Sequence, residues 1–410
     1  MTVGREEIGQ RSETVRRANL SAIVRELHAR GPQTRSALVN RTGLTRSAIR
    51  GLIGELAAAG LVSEASPQRL GTPGRPSPLV SLDPDSASVL AIEISVDSLA
   101  VAIVGLGGVV IELTRVDRPR GDSSVDEIVG AVAKLARDAR ARRRSSRRLI
   151  GVGAAIVGVV RRTDGRVSIA PNLGWRNVPL GARLSEALGL SLPVSIANDA
   201  DLGALAEHRR GAAVGVDDLV FISGEVGVGG GLLVDGKPLD GIAGYAGELG
   251  HMSINPNGAQ CRCGAVGCWE TEIGEDVLLR LAGRPDDLGV RGVDEVLRAA
   301  SENDPVALAA IDHVGHWLGL GIASLINLLN PRLVVLGGRF ARLHPYVGPV
   351  VEAELDRRAL SAPRELVRVV PSTLGVDAPL LGAAELAFEP LLADPALWLG
   401  RRDLMERASA

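Results

Sequence analysis

The sequence predicts an α/β protein in which an N-terminal winged helix-turn-helix precedes a larger domain of two lobes. Three observations lead there. Before residue 63, apolar residues recur at helical spacing in three short segments, and a pair of strand-like runs follows around a Gly/Pro-rich loop. From Ser88 onward, short apolar strands alternate with helical segments in two similar blocks. Charge is divided along the same line: residues 1–80 hold twelve Arg, no Lys and six Glu, a net of +6, so the rest of a chain of net −2 carries −8. A basic module joined to an acidic domain is the pattern of a nucleic-acid reader attached to something else.

In the N-terminal part, Leu20, Ile23, Val24 and Leu27 share one helical face, and Gly31-Pro32 ends that helix. Thr34 caps a second short helix, Arg35 to Arg41. Thr42-Gly43-Leu44 makes a tight turn, and Thr45 caps a third helix running to about Ala59. Its inward face is Ile49, Leu52, Ile53 and Leu56, while Arg46, Ser47 and Arg50 sit opposite, near its N-terminal end. Early residues of the second helix of such a pair are the ones that reach base edges in a major groove. Leu61-Val62 and Leu79-Val80 form a two-stranded wing around Gly71-Thr72-Pro73-Gly74-Arg75-Pro76, whose arginine can lie along a narrow minor groove. Thr45, Arg46, Ser47, Arg50 and Arg75 are therefore the candidate contacts to a double-stranded DNA operator. A three-helix protein-interaction module with a basic surface is the plainer alternative.

The larger domain opens with strands at Val89 to Ser95, Leu99 to Val104 and Gly108 to Leu113, then a helix near Val125 to Arg140 and a buried strand at Ile150 to Val157. The second block has strands at Leu219 to Ile222 and Leu232 to Val234 around a glycine loop. A long helix from about Ala307 to Leu329 follows, stopped by Pro331, and feeds Leu333 to Gly338. The basic run Arg137 to Arg148 has no groove-reading pattern beside it and reads as a solvated helix end. The boundaries expected are 1–82 for the DNA-binding domain with its linker, 83–199 for the first lobe, and 200–372 for the second. The polar start, Met1 to Glu7, lacks the apolar segment of a signal peptide, and the longest apolar run, Leu149 to Val160, is too short to span a bilayer. A cytoplasmic protein with no membrane partner is expected.

All three cysteines, Cys261, Cys263 and Cys268, lie within eight positions, with His251 ten residues upstream. Three thiolates and an imidazole complete a tetrahedral zinc shell of the closed, structural kind, and Gly258, Gly264 and Gly267 let the backbone fold around an ion. A disulfide would pair two of the thiols and strand the third. Around this loop cluster polar residues of a different type. Asn198-Asp199 follows the apolar run Val194 to Ile196, Gly247-Glu248-Leu249-Gly250-His251 leads into the cysteines, and Glu270 closes the segment. Carboxylates, an amide and an imidazole are the groups that bind sugar hydroxyls through paired donor and acceptor bonds.

Asn-Asp, then Gly-Glu-x-Gly-His, then Cys-x-Cys-Gly-x-x-Gly-Cys-x-Glu resembles the signature of the ROK family of bacterial sugar kinases, open reading frames and repressors. The N-terminal winged helix resembles that of the family's sugar-responsive repressors, so the resemblance spans essentially the whole chain. It implies an actin-like, hexokinase-like (ribonuclease H-like) two-lobed fold, with the first lobe completed by a C-terminal helix at about 373–400. It also implies zinc on His251, Cys261, Cys263 and Cys268, and sugar contacts at Asn172, Asn198, Asp199, Glu248, His251 and Glu270.

The family's kinases carry Asp-x-Gly-Gly-Thr at the first strand turn. The corresponding stretch here is Glu93-Ile94-Ser95-Val96-Asp97, without either glycine. The second phosphate loop, Gly-Thr-Gly-x-Gly-Gly-Gly in kinases, reads Glu225-Val226-Gly227-Val228-Gly229-Gly230-Gly231. Side chains then occupy the space where backbone N–H groups would approach phosphate, and carboxylates would face a polyanion. The expectation is a regulator that binds no ATP. Asp199, which would be the base of an active kinase, is then kept as a sugar ligand, and a homodimer or homotetramer responds to a small sugar. The alternatives are an ATP-dependent sugar kinase with an appended DNA-binding domain, and a regulator controlled by a protein partner.

Overall fold

The computed structural model describes residues 4–65, 77–121, 124–142, 149–286 and 288–398. Its first helix, Gly4–Arg30, begins well before the periodic segment, because the preceding polar run contains no proline to stop it. Gly31, at φ 73°, turns the chain out of it. The second and third helices are Arg35–Thr42 and Arg46–Ala58. Each is capped by a threonine: Thr34 Oγ1 accepts the Ala37 N–H at 3.1 Å and Thr45 Oγ1 the Ala48 N–H at 3.2 Å. Gly43, left-handed at φ 71°, makes the turn between them. The wing has one more strand than its sequence suggests. Leu79–Leu82 lies between Val62–Ala65 and the short strand Gln33–Thr34, antiparallel to both. The Gly71 to Pro76 loop, Arg75 included, lies outside the described residues.

The two lobes repeat one plan. In the first, Ser88–Ile94 is the central strand: Ser98–Gly105 and then Val109–Asp117 pair antiparallel on one side, Leu149–Ile156 and then Val194–Asn198 parallel on the other. In the second, Leu219–Gly224 is central, with Val228–Val234 and Lys237–Pro238 antiparallel on one side and Leu333–Gly338 and Arg368–Pro371 parallel on the other. Helices cover both faces, which is why the central strands read as unbroken apolar runs. The glycines 229–231, expected in a loop, belong to the strand Val228–Val234. They are needed there for close packing. A Cβ at Gly229 would come within 2.8 Å of Ala200 Cβ, one at Gly230 within 2.3 Å of Leu249, and one at Gly231 within 2.4 Å of the Ala200 carbonyl.

Three further strands, Val159–Arg161, Arg166–Ala170 and Trp175–Val178, form a small antiparallel sheet that periodicity did not reveal. Its turn, Pro171–Leu173, carries Asn172. The long helix Pro305–Leu329 begins at an Asp304 cap and packs against Arg339–Arg358. It is long and apolar enough to cross a membrane by length and composition, yet 56% of its most apolar window is buried in the second lobe, and it serves there as a core helix.

The helix Ala378–Ala393 returns to the first sheet. It lies so close that a Cβ on Gly153 would sit 1.9 Å from the Ala383 carbonyl oxygen, and one on Gly382 would sit 1.9 Å from that of Leu202. On its outer side Phe388, Leu391 and Leu392 join Leu20, Ile23 and Val24 of the first helix in one continuous core. The winged helix is thus packed onto the first lobe, sharing its interior.

Candidate binding cleft and metal centre

A cleft of about 730 Å³, its open mouth included, separates the lobes. Asn172, Asn198, Asp199, Glu248, His251 and Glu270 all line it. Asn198 is fixed by its own role as a cap. Its Oδ1 accepts the N–H groups of Ala200 (2.8 Å) and Asp201 (3.2 Å), and its Nδ2 donates to the Gly158 carbonyl at 3.0 Å. This cap opens the helix Asp199–Arg210, which follows where the sequence showed only a strand and two polar residues. Asp199 is its first residue. Burial pushes its carboxyl up to about 7; the Ala200 N–H opposes the shift, and the Glu93 and Glu248 charges add to it. Burial also raises Glu248, against the pull of His251. Asn172 is held from the other side of the cleft, its Oδ1 accepting from Arg262 at 3.0 Å. Sequence reasoning passed over Arg262, whose only signal was its place between two cysteines.

The loop below these residues brings His251, Cys261, Cys263 and Cys268 together, one ligand atom from each lying within 4.8 Å of every other. The separation from Cys261 Sγ to His251 Nδ1 is 3.8 Å, and from Cys263 Sγ to Cys268 Sγ it is 3.7 Å. Metal–sulfur bonds of about 2.3 Å in a tetrahedron give edges of about 3.8 Å, so donor set and spacing both suit zinc. The backbone has been shaped to this. Gly264 and Gly267 take φ of 99° and 72°, and a Cβ on Gly267 would strike the Asn255 carbonyl. Gly258, by contrast, is not left-handed, and what it provides is room beside Glu272 and Asn255. Glu270 joins the centre to the cleft: its Oε1 is 2.8 Å from Cys261 Sγ and 3.6 Å from His251 Nδ1. The adjacent Trp269 is wholly buried and anchors the loop through Nε1 to the Trp317 carbonyl at 2.8 Å.

At the first strand turn and beside the Glu225 to Gly231 segment, carboxylates pair with arginines. Glu93 is buried and bound at 3.0 Å by Arg115, which also holds Asp377 at 2.9 Å. Asp97 is bound at 2.9 Å by Arg120, which reaches across to Glu275 of the second lobe at 2.6 Å. Burial drives the Glu225 carboxyl up to about 8, with Arg339 pulling the other way and Glu93, Asp199 and Asp97 adding to the rise. Burial likewise brings Arg339 down to about 10; its guanidinium donates to the carbonyls of Glu225 and Ile273.

On the winged helix, Thr45, Arg46, Ser47 and Arg50 are exposed, and Ile49, Leu52, Ile53 and Leu56 are buried. Arg35 and Arg41 pair with Glu64 and Glu26, whereas Arg46 and Arg50 form no ion pair among the described residues. One turn of the third helix therefore offers two exposed guanidinium groups that no acid among the described residues pairs.

The chain's similarities follow the same division. A model of the ROK family matches residues 89–389. The chain is 27% identical over 391 residues to the xylose repressor of Bacillus subtilis (strain 168), an alignment covering 92% of this chain and 97% of that protein. It resembles a solved ROK family transcriptional regulator, a homologue of the E. coli MLC protein, with TM-score 0.73 and 28% identity over 94% of this chain and 97% of that one. It also resembles a ROK family glucokinase from Streptomyces griseus, solved with glucose and AMPPNP, with TM-score 0.66 and 29% identity. There 74% of this chain covers 99% of the glucokinase.

Proposed function

This chain belongs to the ROK family as a transcriptional regulator, and from that premise we propose that it is a repressor released from its operator by a sugar bound between the lobes. One observation carries the reading. Three quarters of this chain spans a whole glucokinase, while nearly all of it is needed to span the regulators. The surplus is a winged helix with an exposed basic face on its third helix. Thr45, Arg46, Ser47 and Arg50 would meet one major groove, Arg75 the neighbouring minor groove, and a homodimer or homotetramer would set the half-site spacing. The chain divides, on this reading, into 1–82, 83–199 completed by about 373–400, and 200–372, and works in the cytoplasm.

Asn172, Asn198, Asp199, Glu248, His251 and Glu270 would hold the sugar through paired donors and acceptors. Zinc on His251, Cys261, Cys263 and Cys268 would supply a rigid brace for one wall of the pocket. His251 turns Nδ1 to the thiolates, which leaves Nε2 for a hydroxyl. Closure of the lobes on the sugar would alter the separation of the two reading heads, and a modest rotation suffices to lose a fixed half-site spacing.

A kinase-like domain without kinase activity fits these arginine-paired carboxylates. ATP would have to displace Glu93 and Asp97 from their arginine partners, against their like charge. Asp199 matches the family's catalytic base in the Asn-Asp motif, and that favours the rival reading of a sugar kinase. The two separate cleanly in one experiment: titrate D-xylose and D-glucose by calorimetry, and assay phosphorylation of the same sugars with ATP and magnesium. Binding without turnover is expected. Phosphorylation that disappears in Asp199→Asn would establish the kinase instead.

A further inference from the structure

The helix Asp199–Arg210 begins in the cleft and ends against the first helix of the winged domain. Its N-terminal turn is Asn198, Asp199 and Ala200. The strand Val228–Val234 presses on that turn through Gly229 and Gly231, whose backbones approach Ala200 closely enough to exclude a Cβ. The twelve residues of the helix carry the chain about 18 Å along the axis. At the far end Arg210 donates Nη1 to the Gly107 carbonyl at 2.8 Å and to the His28 carbonyl at 3.3 Å. Its Nε donates to Glu385 Oε1 at 2.5 Å. His28 belongs to the first helix of the winged domain and Glu385 to the last helix of the first lobe.

The triad is almost wholly dry. His28 is 1% exposed, Glu385 3%, and the Arg210 side chain 15%. The Gly107 N–H donates to His28 Nδ1 at 3.0 Å, so that nitrogen carries no proton. The imidazole proton is then on Nε2, which donates to Glu385 Oε2 at 3.0 Å. Arg210 Nη2 lies 2.6 Å from the same ring nitrogen, and both groups face the Glu385 carboxylate. Burial alone would raise Glu385; His28 and Arg210 outweigh it and hold the carboxyl down at about 2. Even the turn beneath is cut to fit, since a Cβ on Gly108 would collide with the guanidinium.

We propose that Asp199–Arg210 is the transmission element of this regulator, with Arg210 as a positioning residue that locks the winged helix to one arrangement of the lobes through Glu385 and His28. The inference rests on the sugar-responsive reading above and names its route. Apolar contacts along an interface tolerate sliding; a buried ion pair does not, because a small shift leaves a carboxylate without its partner in a dry interior. A helix packed along its length on the strands Leu219–Gly224 and Val228–Val234, and tied by Arg210 to the first helix of the winged domain, is therefore biased by events on both sides.

The test reads hydrogen exchange of the full chain with and without a duplex that the wild type has enriched from a random-sequence pool. In the wild type, duplex binding is expected to change exchange of the amides at 200–206 by about 5-fold or more, the lower range of ordinary coupling between sites. In Arg210→Gln that response is expected to vanish while the duplex still binds. Because this variant strands the Glu385 charge, the double variant R210Q/E385Q, which removes both charges, is read beside it and should behave alike. A wild-type-sized response in either variant overturns the proposal, as does the lack of any response in the wild type. D-Xylose and D-glucose are then added to the same samples. If neither binds the wild type, the sugar reading fails by itself, because the duplex-driven response is measured without sugar.

Discussion

Cys263 tests whether the metal loop does more than hold itself together. It is the exposed member of the thiol group, and Cys261 and His251 lie beside Glu270, which faces the cleft. Cys263→Ser is expected to lower zinc content, measured by mass spectrometry, and with it the effect of sugar on operator binding. Zinc lost with the sugar effect intact would reduce the metal to local structure. Arg50→Ala should weaken duplex binding and lower the slope of log affinity against log salt by about one, with sugar affinity unchanged; an unaltered slope removes Arg50 from the DNA interface. Glu225 gives a pH signature. Its folded value of about 8 lies above the ordinary 4.5, so the folded state binds this proton more tightly than the unfolded chain. Its stabilising contribution is complete below roughly pH 4.5 and is lost as pH rises toward 8, at up to about 1.4 kcal/mol per pH unit. Asp199, pushed up to about 7, slopes the same way. Thermal unfolding followed from about pH 5 to about pH 8 should show a falling midpoint, and Glu225→Gln should flatten it; an equal slope in the variant would contradict the burial argument. Single residues of this kind were the most legible part of the sequence. Metal and sugar chemistry tolerate few substitutes, so His251, the cysteines, Asn198 and Glu248 stand out by type and spacing. Arg262 and Arg210 did not stand out, because among so many arginines a partner ninety or more positions away leaves no local mark.

Among the elements, those with strong periodicity or a cap could be read, including Arg46–Ala58 with its Thr45 cap and the long helix Pro305–Leu329. Asp199–Arg210 could not. Its buried residues are Ala200, Leu202, Gly203, Ala204, Ala206 and Glu207, a mostly small set with a single large apolar side chain, which admits a close neighbour and leaves little hydrophobic contrast. For the same reason the glycines 229–231 looked like a phosphate loop when they are a strand shaved to admit that helix. Small residues at both surfaces make the packing brittle. Gly382→Val, which would drive a side chain into the Leu202 carbonyl, is expected to destabilise the chain by about 1–3 kcal/mol or more, and to separate the last helix from Asp199–Arg210. Chemical denaturation would measure it, and an unchanged midpoint would contradict the close approach.

At the scale of the molecule, the sequence disclosed two α/β blocks behind a basic winged helix, because alternation and charge are carried by local patterns. How the parts join was not legible. The shared core of Leu20 and Ile23 with Phe388 and Leu391, the buried His28–Glu385–Arg210 contact, and the Arg120 bridge from Asp97 to Glu275 unite residues far apart in the chain. Those joints unite a cleft and a DNA-reading face: the cleft lies between two lobes, and the winged helix is packed on one of them. The most direct measurement is fluorescence anisotropy of a labelled operator duplex, enriched by the full chain, across a titration of D-xylose or D-glucose at fixed salt. A regulator of this design should lose operator affinity by about 10-fold, within the usual range for coupled sites, over the same concentrations at which calorimetry shows the sugar binding. Sugar that binds and leaves operator affinity unchanged would contradict it.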